Sequence, residues 1–123
     1  MALNKILICD DQIVILNTLE AILQENVNAE ISTESHSPNV IRRLLNESIN
    51  FLIVDLSMPT LTGQQLIRNI RDHGQLQNTF ILCMSANIDG QQTALEAGAD
   101  MFLAKPFGIE DLLSIVAKIV GSI

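Results

Sequence analysis

A handful of short apolar runs, separated by longer amphipathic stretches, leaves this chain very few folds to choose from. The most restrictive run is Phe51-Leu-Ile-Val54, which ends in a carboxylate, Asp55, and breaks into a loop before Pro59. Four consecutive apolar residues, β-branched and aromatic types among them, read as a strand buried on both faces. Similar runs begin at Lys5-Ile-Leu-Ile-Cys9, at Thr79-Phe-Ile-Leu-Cys-Met-Ser85 and at Asp100-Met-Phe-Leu-Ala104, with a weaker one over 29–32 that suits a sheet edge.

Between them the apolar spacing becomes helical. Val14, Ile15, Leu16, Leu19, Ile22 and Leu23 predict a helix over about 13–24. Ser37-Pro38 supplies an N-cap and a proline at the first helical position, ahead of Val40, Ile41, Leu44 and Leu45. Leu66, Ile67 and Ile70 predict a third helix over about 63–73, with Gly74 as its C′ residue. A weaker helix spans about 88–97, with Gly90 near its start and Gly98 at its end, and a strongly apolar one closes the chain over 109–120. Strand and helix thus alternate five times, which predicts an α/β domain with helices on both faces of a parallel sheet. Right-handed crossovers then favour the flavodoxin-like (βα)5 strand order 2-1-3-4-5.

At 123 residues the chain makes one domain, over 1–123, with one core. No apolar run approaches membrane-spanning length, and the start shows no signal peptide. Cys9 and Cys83 lie inside apolar runs and read as small buried hydrophobes, which with the missing leader places the protein in the cytoplasm. The formal charge of −7 and the absence of a basic stripe argue against nucleic acid as a direct partner.

The predicted strand order brings Asp10 and Asp11, after strand 1, beside Asp55, after strand 3. Ligands bind at such a switch point, outside the carboxyl ends of the strands. Three converging carboxylates repel one another, and a hard divalent cation relieves them; Mg²⁺ takes carboxylates, a carbonyl and waters. Ser85 ends strand 4, Lys105 follows strand 5, and both face the same rim. Three carboxylates, one Mg²⁺ and one lysine sum to zero charge. Such a site can receive a phosphoryl group, and a carboxylate can act as its nucleophile.

On these residues the chain resembles the receiver domain of a two-component response regulator over essentially its whole length. The resemblance implies that Asp55 is the phospho-acceptor, with Asp10 and Asp11 as the acidic pocket. Asp11, Asp55 and the Ser57 backbone carbonyl would ligate Mg²⁺, and Asp10 would act through a metal-bound water. Ser85 and Lys105 would hold phosphoryl oxygens. Pro106 fits the family, where the Lys-Pro bond is often cis. Phe102 stands at the family's switch position, commonly tyrosine; a phenylalanine there suits a rotamer switch or an ordinary core position, without the hydroxyl hydrogen bond. Ser57 and Asn87, two residues past Asp55 and Ser85, are placed to tune self-dephosphorylation.

The implied phosphoryl donor is a phosphohistidine on a sensor kinase or a histidine phosphotransfer protein. The start of helix 1 has more apolar residues than one inward stripe requires, so Gln12, Ile15, Leu16 and Pro106 are the expected docking residues. The surplus apolar residues of the last helix point to a target protein or a homodimer on helix 4, strand 5 and helix 5. Such a module catalyses only its own phosphorylation and dephosphorylation. The Met1 start favours a stand-alone regulator or an N-terminal receiver, while a receiver cut from a larger regulator or hybrid kinase would read the same. A metal-dependent phosphatase with an aspartyl nucleophile is the competing reading, but it looks for a second acid where Ser57 stands.

Overall fold

The apolar runs become the strands β1 (Lys5–Cys9), β2 (Glu30–Glu34), β3 (Phe51–Asp55), β4 (Phe80–Ser85) and β5 (Met101–Ala104). They form one parallel sheet in the predicted order, β2-β1-β3-β4-β5, in a computed structural model that describes residues 4–121. The helices are α1 (Ile13–Asn26), α2 (Val40–Asn46), α3 (Gly63–Asp72), α4 (Gly90–Ala97) and α5 (Ile109–Val120).

Because side chains alternate across a strand, each central strand feeds two cores. Leu52 and Val54 of β3 pack with Leu7, Cys9, Ile81 and Cys83 beneath α2, α3 and α4. Phe51 and Ile53 pack with Ile6, Ile8, Leu82 and Met84 beneath α1 and α5. Every residue of β3 is buried, which is why its first four residues are apolar without interruption. Parallel register sets Val54 beside Cys9 on one side and Cys83 on the other, so β1, β3 and β4 end within two residues of one another. Carboxylates placed just after these ends therefore meet at one rim.

Both cysteines are free and buried, as expected of small core residues. Burial is the main cause that pushes each thiol up to about 12, with the nearby acids adding to it at Cys9.

Four local expectations are corrected. The edge strand β2 covers Glu30–Glu34 rather than 29–32, because its pairing with β1 runs in register from Lys5 to Cys9. Ser37 does not cap α2. It opens a short 3-10 turn over Ser37–Asn39, and its hydroxyl donates instead to the Leu61 carbonyl at 2.7 Å, tying that turn to the loop after β3. Gly74 does follow the C-cap of α3, extended His73, as the C′ residue, but it opens a second 3-10 turn there rather than a left-handed cap. Helix α4 starts at Gly90, two residues later than expected, and leaves Ile88 outside it and 80% exposed. Gly98 does end that helix, with φ +120°.

Candidate functional site

Two backbone turns place the acids. The Asp10 carboxylate accepts the Gln12 N–H at 3.0 Å, so the residue after β1 folds back over the strand end. Asp55 lies at the last position of β3, and the Ser57 N–H approaches its Oδ1 at 3.5 Å. Asp10 is fully buried, Asp55 is 7% exposed and Asp11 faces solvent. One carboxylate oxygen from each of the three lies within 4.8 Å of the others. Lys105 reaches over them: its Nζ is 3.2 Å from Asp10 Oδ2 and 3.7 Å from Asp55 Oδ1.

Lys105 is positioned from both sides. Its N–H donates to the Ser85 carbonyl at 2.8 Å, and a cis peptide bond joins it to Pro106. The Ser85 hydroxyl, buried at the end of β4, accepts the Asn87 N–H at 3.0 Å. Above these groups an open cleft of about 580 Å³ is lined by Asp11, Asp55, Ser57, Asn87 and Lys105 among others. The sheet thus assembles Asp10, Asp11, Asp55, Ser57, Ser85, Asn87 and Lys105 at one rim, from loops after β1, β3, β4 and β5.

Burial is the main reason the Asp55 carboxyl is held above the usual carboxylate range. Lys105 and the Ser57 N–H oppose the shift, and the charges of Asp10 and Asp11 add to it. A cluster of three acids with one short-range cation has the oxygen donors and the surplus negative charge that a hard divalent ion takes. The chemistry of the donor set therefore fits Mg²⁺.

The family profile described as "Response regulator receiver domain" matches residues 6–117. The chain belongs to the response regulator receiver family. It is 32% identical over 121 residues to the response regulator ArlR of Staphylococcus aureus, covering 96% of this chain and 53% of that protein. The chain thus spans about half the length of the curated relatives it matches. Its fold superimposes on the chemotaxis response regulator CheY4 of Vibrio cholerae with a TM-score of 0.86 at 26% identity, covering 97% of this chain and 100% of that one. The receiver domain of a Pseudomonas aeruginosa sensor histidine kinase, solved with magnesium coordinated in its active-site cleft, gives 0.85 at 25% identity, covering 98% of this chain and 100% of that one. The chain is a receiver domain of the two-component type, and such domains are signalling modules. Among the described residues, no helix is long and apolar enough to cross a membrane.

Within this receiver, the expected docking residues separate. Gln12 and Pro106 are exposed and Ile15 is half-buried. Leu16 is a correction: it is 3% exposed, because it shares the inward face of α1 with Leu19 and Leu23. The apolar surplus surfaces at Ile13, 55% exposed, and Val14, 77% exposed. Phe102 is half-buried against the core beneath α2, α3 and α4.

Periodicity passed over two residues that shape the rim. A Cβ on Gly63 would lie 2.4 Å from the Asp55 carbonyl oxygen, so only glycine lets α3 start this close to the acceptor strand. Leu56, between Asp55 and Ser57, packs on the core and sits under the first residue of α4. A glycine at the expected start of a helix beside the predicted site is the one sequence signal for Gly63.

Proposed function

We propose that the chain acts over its full length as one cytoplasmic receiver domain, accepting a phosphoryl group from a phosphohistidine onto Asp55 with Mg²⁺. The observation that carries this reading is the convergence of the Asp10, Asp11 and Asp55 carboxylates within 4.8 Å under the Lys105 ammonium. Asp11, Asp55 and the Ser57 carbonyl would hold the metal, and Asp10 would support it at one remove. When bound, Mg²⁺ neutralises phosphoryl oxygens and favours the ionised form of Asp55. An Asp55 carboxylate oxygen then forms the new P–O bond while the P–N bond to the donor histidine breaks. Lys105 exchanges its contact with Asp55 for one phosphoryl oxygen, and the Ser85 hydroxyl donates to another. Ser57 and Asn87 line the cleft on the side from which water attacks, and being small and polar they leave that approach open. The domain catalyses only the formation and the hydrolysis of its own acyl phosphate.

The donor is a sensor histidine kinase or a histidine phosphotransfer protein. It docks on Gln12, Pro106 and an apolar groove of about 440 Å³ lined by Val14, Ile15, Leu19, Phe107 and Ile109. That groove shares Ile15, Ala86 and Lys105 with the acceptor cleft, so a helix seated in it presents its histidine to Asp55. Output leaves through α4, β5 and α5, where Leu95, Met101 and Ile119 are exposed, to a protein target or a second copy. Phe102 changes rotamer as Ser85 moves.

Intact mass after incubation with acetyl phosphate and Mg²⁺ tests the reading. One added phosphoryl group is expected, absent in Asp55→Ala and without metal. Failure to gain it, together with failure to bind beryllofluoride, removes the phosphotransfer assignment.

A further inference from the structure

Helix α4 is held in different ways at its two ends. At the C-terminal end the Arg71 guanidinium gathers four acceptors. Its Nε donates to the Gly98 carbonyl at 2.8 Å, Nη1 to the carbonyls of Thr79 at 2.8 Å and Gln77 at 3.2 Å, and Nη2 to Asp100 Oδ2 at 2.8 Å. The same Asp100 oxygen accepts the Ile81 N–H at 2.8 Å. One side chain of α3 thus binds the end of α4, the entry to β4 and the entry to β5. Gly98 completes the lock: it has φ +120°, and a Cβ there would lie 2.5 Å from Arg71 Cγ.

At the N-terminal end the polar contacts are local: Asn87 accepts the Asp89 N–H on Oδ1 at 3.0 Å and the Gly90 N–H on its carbonyl at 2.9 Å. Asp89, in the cap position, makes no side-chain capping bond, and Ile88 is exposed. What the helix has instead is a seat. Gly90, its first residue, is buried, and a Cβ there would lie 2.7 Å from Leu56 Cδ2, 3.3 Å from Ser85 Oγ and 3.4 Å from Ser85 Cβ. The backbone of α4 therefore rests on the side chain that follows Asp55 and on the hydroxyl at the end of β4.

We propose that Gly90 is a positioning residue that couples the acceptor site to α4: it seats the helix on Leu56 and Ser85, and Arg71 holds the far end as the pivot. This rests on the reading of Asp55 as acceptor and Ser85 as the hydroxyl that turns to the phosphoryl group. When Ser85 leaves its resting place, the support under Gly90 changes, while the carbonyl of Gly98 stays bound. The helix tilts from its free end, and the displacement is largest at 88–91 and smallest at 98–100. A side chain at 90 removes the seat directly, which destabilises the resting arrangement relative to the phosphorylated one and raises the population competent to bind a phosphoryl mimic.

Backbone amide NMR of the whole chain, with Mg²⁺ and titrated beryllofluoride, tests this. In the wild type the induced shift changes should be graded along α4, large at 88–91 and small at 98–100. In Gly90→Ala without ligand, the amides of 88–91 should already be displaced toward their ligand-bound positions, and half-saturation should need several-fold less beryllofluoride. Adding Leu56→Val to Gly90→Ala should return both readouts toward wild type. A mere gain in helix propensity from Gly to Ala would not be undone by trimming a contact residue. Arg71→Ala should extend the ligand-induced changes into 98–100, an expectation that stands even if Gly90→Ala fails to fold. A Gly90→Ala protein with wild-type affinity and displacements unrelated to the bound state overturns the proposal, as does an Arg71→Ala protein with an unchanged gradient. If the wild type itself binds no beryllofluoride, the acceptor reading has failed and the coupling falls with it, an outcome distinct from both.

Discussion

Helices α3 and α4 lie side by side on the same face of the sheet, yet they are built to opposite specifications. Helix α3 has a complete capping box: the Thr62 hydroxyl accepts the Gln65 N–H at 3.2 Å and the Gln65 side chain accepts the Thr62 N–H at 3.0 Å. Its Leu66, Ile67 and Ile70 are fully buried. Helix α4 is eight residues long, has no side-chain cap, and buries only Gly90, Ala94 and Ala97. Small buried side chains remove little apolar area from water, so α4 has little packing energy to hold it in place. The helix next to the acceptor strand is thus a fixed wall, and its neighbour is an element of low local stability, where a signalling motion costs least.

The largest effect that would break this contrast is at the glycines. Gly63→Ala drives a Cβ into the Asp55 carbonyl and the Leu56 backbone, neither of which can yield, and should cost about 4 kcal/mol in urea unfolding or prevent folding. Gly90→Ala meets only side-chain atoms and should cost far less. Equal costs at the two positions would mean that α4 is as fixed as α3.

Core truncation comes next. Ile67→Ala, at a fully buried position of α3, should cost about 3 kcal/mol, against about 0.5 kcal/mol or less for Leu95→Ala in α4, where the side chain is 43% exposed. The caps sharpen the comparison at a smaller scale. Thr62→Ala should lose about 1 kcal/mol with its capping bonds, whereas Asp89→Ala, which removes no capping bond, should fall within about 0.5 kcal/mol of wild type by the same measurement.

The smallest effect reports on the strand end that α3 walls in. Burial holds the Asp55 carboxyl above its ordinary range, so the folded protein keeps this proton at pH values where the unfolded chain has lost it. The group's contribution to stability is then fully present below the unfolded-state pKa and is lost as pH rises through the folded one. Asp55→Asn should therefore unfold at higher urea than wild type near neutral pH, with the two midpoints converging as pH falls toward the ordinary value of 3.8. Saturating Mg²⁺ should narrow the neutral-pH gap by stabilising the wild type. A gap that widens on acidification would show that the contact with Lys105 outweighs burial.

Much of this was legible in the sequence because a parallel sheet covered on both faces turns its inner strands into continuous apolar runs. β1, β3 and β4 announce themselves this way, and the carboxylates, Ser85 and Lys105 stand at or just beyond strand ends, where the strand order alone brings them together. The bounds of α5 follow from its uninterrupted apolar spacing. The misplacements have a common cause in partners far along the chain. Ser37 looks like a cap until the Leu61 carbonyl, 24 residues on, takes its hydroxyl. Leu16 looks like surplus until the rotation of α1 on the sheet turns it inward and leaves Val14 outside. Arg71 carries no local signal at all, since its acceptors belong to three other segments.

The sequence by itself determined the alternation of strand and helix, the strand order, and which chemical groups stand at the carboxyl rim, because these depend on local periodicity and on the handedness of L-residues. Only the tertiary structure decided how far the carboxylates stand from Lys105, which face of α1 is open, and that α4 is pinned at Gly98 and merely seated at Gly90. Those depend on how helices settle against the sheet and on close approaches between residues distant in sequence, as between Asp10 and Lys105, 95 positions apart.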